Sequence, residues 1–229
     1  MKISKFIVLF ALLAITRQAA AQLQPTATYY DESGNEVVKT DAVEGDAPLH
    51  VRFSVDTSDI DPSASLEWHF NHTGANGSSN VTRYGQETEY DFTESGLTIV
   101  TLYVMAGNEL TDSASIRVTI SSSHLEMPNA FSPNNDDIND IYQAKSNTKS
   151  IVDFHAYIFN RWGQKLYEWT DWADEKKGWD GTFNGRPVKD GVYFVLVKAR
   201  GADGRNYEIK RDVNLLRKHN ESTNGGTTE

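Results

Sequence analysis

Of the 229 residues in the chain, the side chains best suited to chemistry sit close together. Asn134, Asp136, Asn139 and Asp140 present oxygen-bearing groups within one short polar run. Calcium is a hard cation that takes roughly six to eight such ligands, so these four residues are candidate calcium ligands. The run lacks the spacing and the terminal Glu of an EF-hand. Short Asn and Asp side chains also bond their own backbone in turns, so a network of Asx hydrogen bonds accounts for the same residues. Both readings stand. A second candidate is the histidine pair His69 and His72; three apart on a strand they face opposite ways, and no Glu follows His69 as a zinc protease motif requires. The third is aromatic: Trp162, Trp169, Trp172 and Trp179 crowd one region, and exposed tryptophans stack on sugar rings or anchor partners. Arg161, placed before a turn, is a candidate partner-recognition residue because its guanidinium can bind a carboxylate through two parallel bonds.

Catalysis has little to stand on. There are 6 histidines, all scattered, and 0 cysteines, with no Ser-centred elbow and no Gly-rich phosphate loop. Without cysteine, thiolate chemistry and Cys-ligated zinc are excluded, and no disulfide can staple the fold. The expectation is a protein that is not an enzyme and carries no organic cofactor.

What positions these residues begins with an address. Lys2 and Lys5, the apolar run Phe6 to Ile15 and the small residues Ala19-Ala20-Ala21 form a secretory signal peptide over residues 1–21. The run is too short for a spanning helix, which needs about 20 apolar residues, and no later stretch is apolar enough. Charge then divides the rest. From Gln22 to Ser123 there are 4 basic and 16 acidic residues, a net of −12; from His124 onward there are 15 and 16, a net of −1. So acidic a first half repels phosphate backbones, and nucleic acid is not an expected partner.

After a polar lead over 22–40, short alternating segments follow one another. Leu49, Val51, Phe53 and Val55 alternate with polar residues, Leu66, Trp68 and Phe70 repeat the pattern, and Thr88 to Phe92, Leu97 to Met105 and Ser115 to Ile120 complete the set. Asn71 to Asn80 is polar and glycine-containing and reads as a loop tip. Repeated short strands with turns between them imply a β-sandwich. The segments Ala47-Pro48-Leu49, Val51-Arg52-Phe53-Ser54, Leu66-Glu67-Trp68-His69-Phe70 and Tyr90-Asp91-Phe92 with Ser95-Gly96 resemble the PKD repeat, an immunoglobulin-like module of extracellular proteins, over residues 41–121. The family's acidic loop after its Trp is replaced here by His69-Phe70-Asn71-His72-Thr73-Gly74.

A short linker, 122–124, leads to the second half. Ile151 to Asn160 and Lys165 to Trp169 form a hairpin across Arg161-Trp162-Gly163-Gln164, Asn184-Gly185 is the strongest hairpin signal in the chain, and Val192 to Ala199 is apolar on both faces and reads as a central strand before Tyr207 to Leu216. This is a second all-β sandwich. Pro128-Asn129-Ala130-Phe131-Ser132-Pro133-Asn134, Ile158-Phe159-Asn160-Arg161-Trp162-Gly163, Trp179-Asp180-Gly181, Asp190-Gly191-Val192-Tyr193 and Val213-Asn214-Leu215-Leu216-Arg217 resemble, in order, the gliding-motility-associated C-terminal domain of Bacteroidota over residues 125–217. In that family Asn135 and Asp137 are usually glycines, and the domain normally finishes the protein, whereas here a polar tail expected to be disordered runs over 218–229.

The resemblance implies a type B sorting domain for type IX secretion. Its partners would be that machinery or cell-surface proteins, and its location the cell surface or the medium, with the periplasm or the periphery of the outer membrane as alternatives. It also assigns Trp162 and Trp179 to hairpin and core, which leaves Trp169 and Trp172 as surface candidates. The expected architecture is therefore all-β, two tandem immunoglobulin-like β-sandwich domains after a signal peptide. The expected role is an exported surface protein with a spacer or adhesion module joined to a sorting and attachment module; the alternative is a carbohydrate-binding accessory protein that contacts glycans through Trp169 and Trp172.

Overall fold

A computed structural model describes residues 23–31, 33–174 and 176–217; the segments expected to be a signal peptide, 1–21, and a polar tail, 218–229, lie outside the described residues. All regular structure in these residues is β. The first domain contains β1 (Thr26–Tyr30), β2 (Glu36–Lys39), β3 (Ala42–Gly45), β4 (Leu49–Ser54), β5 (Ser65–Gly74), β6 (Gly77–Tyr84), β7 (Glu87–Phe92), β8 (Gly96–Ala106) and β9 (Glu109–Ile120). They form two sheets, ordered β2-β1-β4-β7 and β3-β9-β8-β5-β6. Period-two alternation sends Val51 and Phe53 of β4 and Trp68 and Phe70 of β5 into the space between them, where all four are buried. Phe53 is the hub: its ring lies 5.9 Å from Trp68, 5.5 Å from Phe70 and 6.3 Å from Phe92. The Trp68 indole is satisfied by donating to the Gly85 carbonyl at 2.9 Å.

Two expectations for this half are corrected. The polar lead holds β1 and β2, and β1 pairs with β4, so the sandwich begins well before residue 41. Only Ala27 of β1 is buried, which is why the strand carries no hydrophobic signature. Likewise Asn71 to Asn80 is a hairpin, with Asn71 opposite Asn80 and Gly74 opposite Gly77. Every residue of β6 is exposed, so nothing in its sequence needs to be apolar; its backbone pairs with β5, and Arg83 lies over the Tyr90 ring at 5.6 Å.

The second domain contains β10 (Ala130–Phe131), β11 (Ile151–Phe159), β12 (Lys165–Trp169), β13 (Thr182–Phe183), β14 (Arg186–Pro187), β15 (Gly191–Gly201) and β16 (Asn206–Leu215). Its main sheet runs β10-β16-β15-β11-β12, with β10 parallel to β16 and the other pairs antiparallel. The opposing layer is thin: the β13–β14 hairpin, turned at Asn184-Gly185 with both residues at positive φ, and the loops joined by the Tyr142–Trp179 bridge. Between the layers Phe131, Tyr142, Phe154, Trp169 and Trp179 are buried with Ile158, Val195 and Leu215.

The two domains meet at the β15–β16 turn. Ala202, at its tip, is 1% exposed and belongs to the core of the first domain. Its carbonyl accepts from the Ser95 backbone at 3.0 Å and the Asn76 amide at 3.2 Å, while its own N–H donates to Ser150. Ser150, fully buried at a φ of 51°, receives the Ala47 N–H on its hydroxyl. The short linker is held as well: Ser123 is buried and donates to Asp203 at 2.6 Å. Gly201 must be glycine, since a Cβ there would come within 2.1 Å of the Ser123 hydroxyl.

Burial opposes the charge on Asp203, yet the bonds from Ser123 and Arg205 outweigh it and hold its carboxyl below the ordinary range. A carboxylate depressed on folding contributes stability above its unfolded value, about 3.9, and loses it as pH falls through the folded one. The junction is thus expected to stay closed through mild acid and to loosen only below about pH 4, which limited proteolysis of the Ser121–Ser123 segment across a pH series would read.

Candidate functional site

The register of the second domain sorts its residues by distance from that junction. Ile151 pairs with Gly201 beside it, whereas Phe159 pairs with Phe194 at the other end, about 27 Å along β11. Gly191, Leu215 and Phe131 fall on this same far end. The polar loop after β10 and the β11–β12 turn lie there too, so the loop residues and Arg161 share one pole.

The loop is organised around Asp140. Its Oδ1 accepts the backbone N–H groups of Asn134 at 2.7 Å and Asn135 at 2.8 Å, and its Oδ2 that of Asp137 at 2.9 Å. Asp136 accepts from the Asn134 amide at 2.7 Å and from the Ile138 N–H at 2.9 Å. Burial raises the Asp140 pKa, but the N–H groups of Asn135, Asn134, Asp137 and Asp136 together draw it below the usual carboxylate range. Asn135, Asp137 and Asn139 all take positive φ, at 64°, 64° and 55°. The side-chain oxygens of Asn134, Asp136 and Asp140 are thus already engaged with the loop's own donors, which is the geometry of an Asx network. Among the described residues no group of three or more His, Cys, Asp or Glu is placed to hold a metal. Millimolar calcium is expected to leave the melting temperature unchanged, since only an ion that binds the folded state raises it. Asp137→Gly should stabilise the fold by about 0.5–1 kcal/mol, because glycine adopts positive φ without the Cβ penalty; a chemical denaturation midpoint checks this.

The aromatic candidates exchange places. Trp169, expected at the surface, is 5% exposed and packs 6.0 Å from Phe154 and 6.4 Å from Tyr142. Trp172 is half-buried against the same core, and its indole donates to the Ile151 carbonyl at 3.1 Å. Neither is free to stack on a sugar. Trp162 lies in the β11–β12 hairpin turn, as expected, but it is 81% exposed. The cause is local: Asn160 ties the turn by accepting the N–H groups of Trp162 and Gln164, both at 3.0 Å, which points the intervening side chains outward. Arg161 lies over the Trp162 ring at 5.4 Å. Trp179 is fully buried as expected.

The histidines do not converge. His69 contacts Glu67 at 3.1 Å on the outer face of its sheet, and His72 is buried on the inner face, bonded to Thr98 at 3.0 Å.

Further residues join the pole that were not candidates for contact: Val192 and Phe194, read as part of a central strand apolar on both faces, are 47% and 46% exposed, and Leu216 is 52% exposed. Their signal was present in the apolar run of both parities in β15, which can mean either a strand covered on both faces or one with an uncovered apolar face. Arg217 braces this end. It bonds the carbonyls of Val188 and Gly181 and pairs with Asp190 at 3.2 Å.

The fold and its pole define an all-β pair of sandwiches whose second member presents an end where Trp162 is flanked by Arg161 and Lys189, with the acidic Asp136–Asp140 loop alongside. Residues 125–212 of the chain match the family model of the CHU_C type IX secretion signal domain. No curated protein matches the chain. Similar solved structures include the tetra-tandem repeat from the extending region of a large adhesion protein, 15% identical, covering 86% of this chain and 68% of that one at a TM-score of 0.30. The FN1-FN3 domains of chicken CNTN1 are 10% identical, with coverages of 83% and 76% and a TM-score of 0.25. The Bacteroides ovatus mixed-linkage glucan utilization locus protein SGBP-B, solved with a mixed-linkage heptasaccharide, is 15% identical, with coverages of 84% and 47% and a TM-score of 0.26. At these scores none of the three carries a functional assignment. Among the described residues no helix is long and apolar enough to cross a membrane.

Proposed function

We propose that this chain is an exported, non-enzymatic surface protein in which the second domain is the sorting and attachment module read by the type IX machinery. The first domain is the passenger, a PKD-like module that acts as spacer or as the protein-contacting part in adhesion. The observation that carries this reading is the match of residues 125–212 to the type IX secretion signal domain. It spans nearly all of the second domain, from the end of the linker to within β16. The finer assignment, a type B signal of the gliding-motility-associated kind from Bacteroidota, rests on the ordered motifs from Pro128 to Arg217.

A fusion decides it. Residues 125–217, with and without 218–229, are placed after a reporter that carries a signal peptide, in a type IX-competent host. Reporter at the cell surface or in the medium is the expected result, and periplasmic retention of both fusions would overturn it. Export of the shorter fusion alone would mean that the tail masks the signal.

A further inference from the structure

In the second domain, five large hydrophobic side chains are exposed among the described residues: Ile138, Trp162, Val192, Phe194 and Leu216. All five lie at the pole remote from the first domain. Large apolar groups scattered singly over a surface need no explanation, but a set gathered at one end marks a place where something docks. Beside Trp162 and Val192 is a cleft of about 320 Å³, walled by Arg161, Phe183, Lys189 and Tyr193.

The hydrogen-bonding state of the cleft says which chemistry fits. A sugar needs polar groups free to bond its hydroxyls. Here Asn160 is spent on the Trp162 and Gln164 N–H groups and on the Gln164 side chain, the Tyr193 hydroxyl donates to the Lys189 carbonyl at 2.6 Å, and Asp190 is engaged by Arg217. The groups left over are the Arg161 and Lys189 cations, the Gln164 amide N–H groups and apolar side chains. Arg161 rests on an aromatic face, and among the described residues neither it nor Lys189 forms an ion pair with a carboxylate. Branched and aromatic side chains around unpaired cations complement a protein segment that carries both carboxylates and apolar anchors.

We propose that this pole, centred on Trp162, Arg161 and Lys189, docks an acidic, apolar-bearing loop of an envelope protein. Trp162 is the anchor, the two cations steer and hold the loop's carboxylates, and Val192, Phe194 and Leu216 exclude water around them. The inference rests on the export reading, because it supplies the surface through which the signal domain would be recognised. The junction with the first domain lies at the opposite end and leaves the pole open.

The test uses the full chain in a type IX-competent host, comparing the wild type with Trp162→Ser, with the double variant Arg161→Glu/Lys189→Glu, and with Arg200→Glu as an exposed control near the junction. Each variant is also purified, its melting temperature compared with the wild type, and its association state measured by sedimentation. The expected result is a fall of about tenfold or more in the exported fraction for the two pole variants, with periplasmic accumulation, unchanged melting temperatures and a normal control. Export of both folded pole variants at the wild-type level overturns the docking surface while leaving the export reading intact. Failure of the wild type itself to leave the periplasm overturns the export reading and, with it, this use of the pole. A wild-type dimer that dissociates in the pole variants would mean that a second copy is the occupant, and it also overturns the proposal.

Discussion

Trp179→Ala is expected to destabilise the second domain by about 3–5 kcal/mol and so to lower its urea midpoint sharply. The indole is fully buried, packs 5.3 Å from Phe131 and 5.0 Å from Tyr193, and donates to the Thr182 carbonyl at 2.8 Å. Its backbone also makes the two hydrogen bonds that tie the thin layer to Tyr142. Truncating a core Trp costs about 3–5 kcal/mol, a large share of the roughly 5–15 kcal/mol that holds a domain together. The thin layer makes the site less able to absorb the cavity, because loops rather than a second full sheet close over it. Trp162→Ala is the matched control: the same residue type at an exposed turn, with an expected change within about 0.5 kcal/mol. Urea denaturation of both variants measures the contrast. A loss for Trp179→Ala as small as that for Trp162→Ala would show that the thin layer contributes little to the stability of the domain.

The second large effect is expected at the junction. Ala202→Asp places a carboxylate in the core of the first domain, where an unpaired charge costs several kcal/mol. The turn can escape that cost by withdrawing, which breaks its bonds to Ser95 and Asn76 and exposes the surface that Ala202 covered. Calorimetry should therefore change from one cooperative transition in the wild type to two in the variant, one for each sandwich. A single transition at the wild-type temperature would show that the turn carries no coupling between the domains.

Much of this architecture was legible in the sequence wherever burial imposes a pattern. Val51 and Phe53, Trp68 and Phe70, and Phe154, Ala156 and Ile158 alternate because one face of each strand is inside. Asn184-Gly185 announced its turn through the positive φ both residues accept. What could not be read is what burial does not mark. The β1 and β6 strands are held by backbone pairing with almost no buried side chains, so their sequences look like loop. Tryptophan identity is silent about direction: Trp169 and Trp162 differ in the turn that Asn160 ties, not in composition. The loop residues around Asp140 were found by type, but whether their oxygens faced outward or toward the backbone required the bonds themselves. Arg161 was found by type, but the apolar part of the pole was missed because an apolar run of both parities fits a covered strand as well as an open one.

The seating of Ala202 has a mechanical consequence. Modules strung on a slack linker behave as beads, and a pull on one is lost in the swing of the next. Here the chain between the sandwiches is pinned by Ser123, and a turn from the second is lodged inside the first. Tension applied at the far pole is transmitted through the β15–β16 ladder straight into the first domain's core. The expected consequence is a junction that resists bending, so that the two sandwiches keep one angle to each other under load.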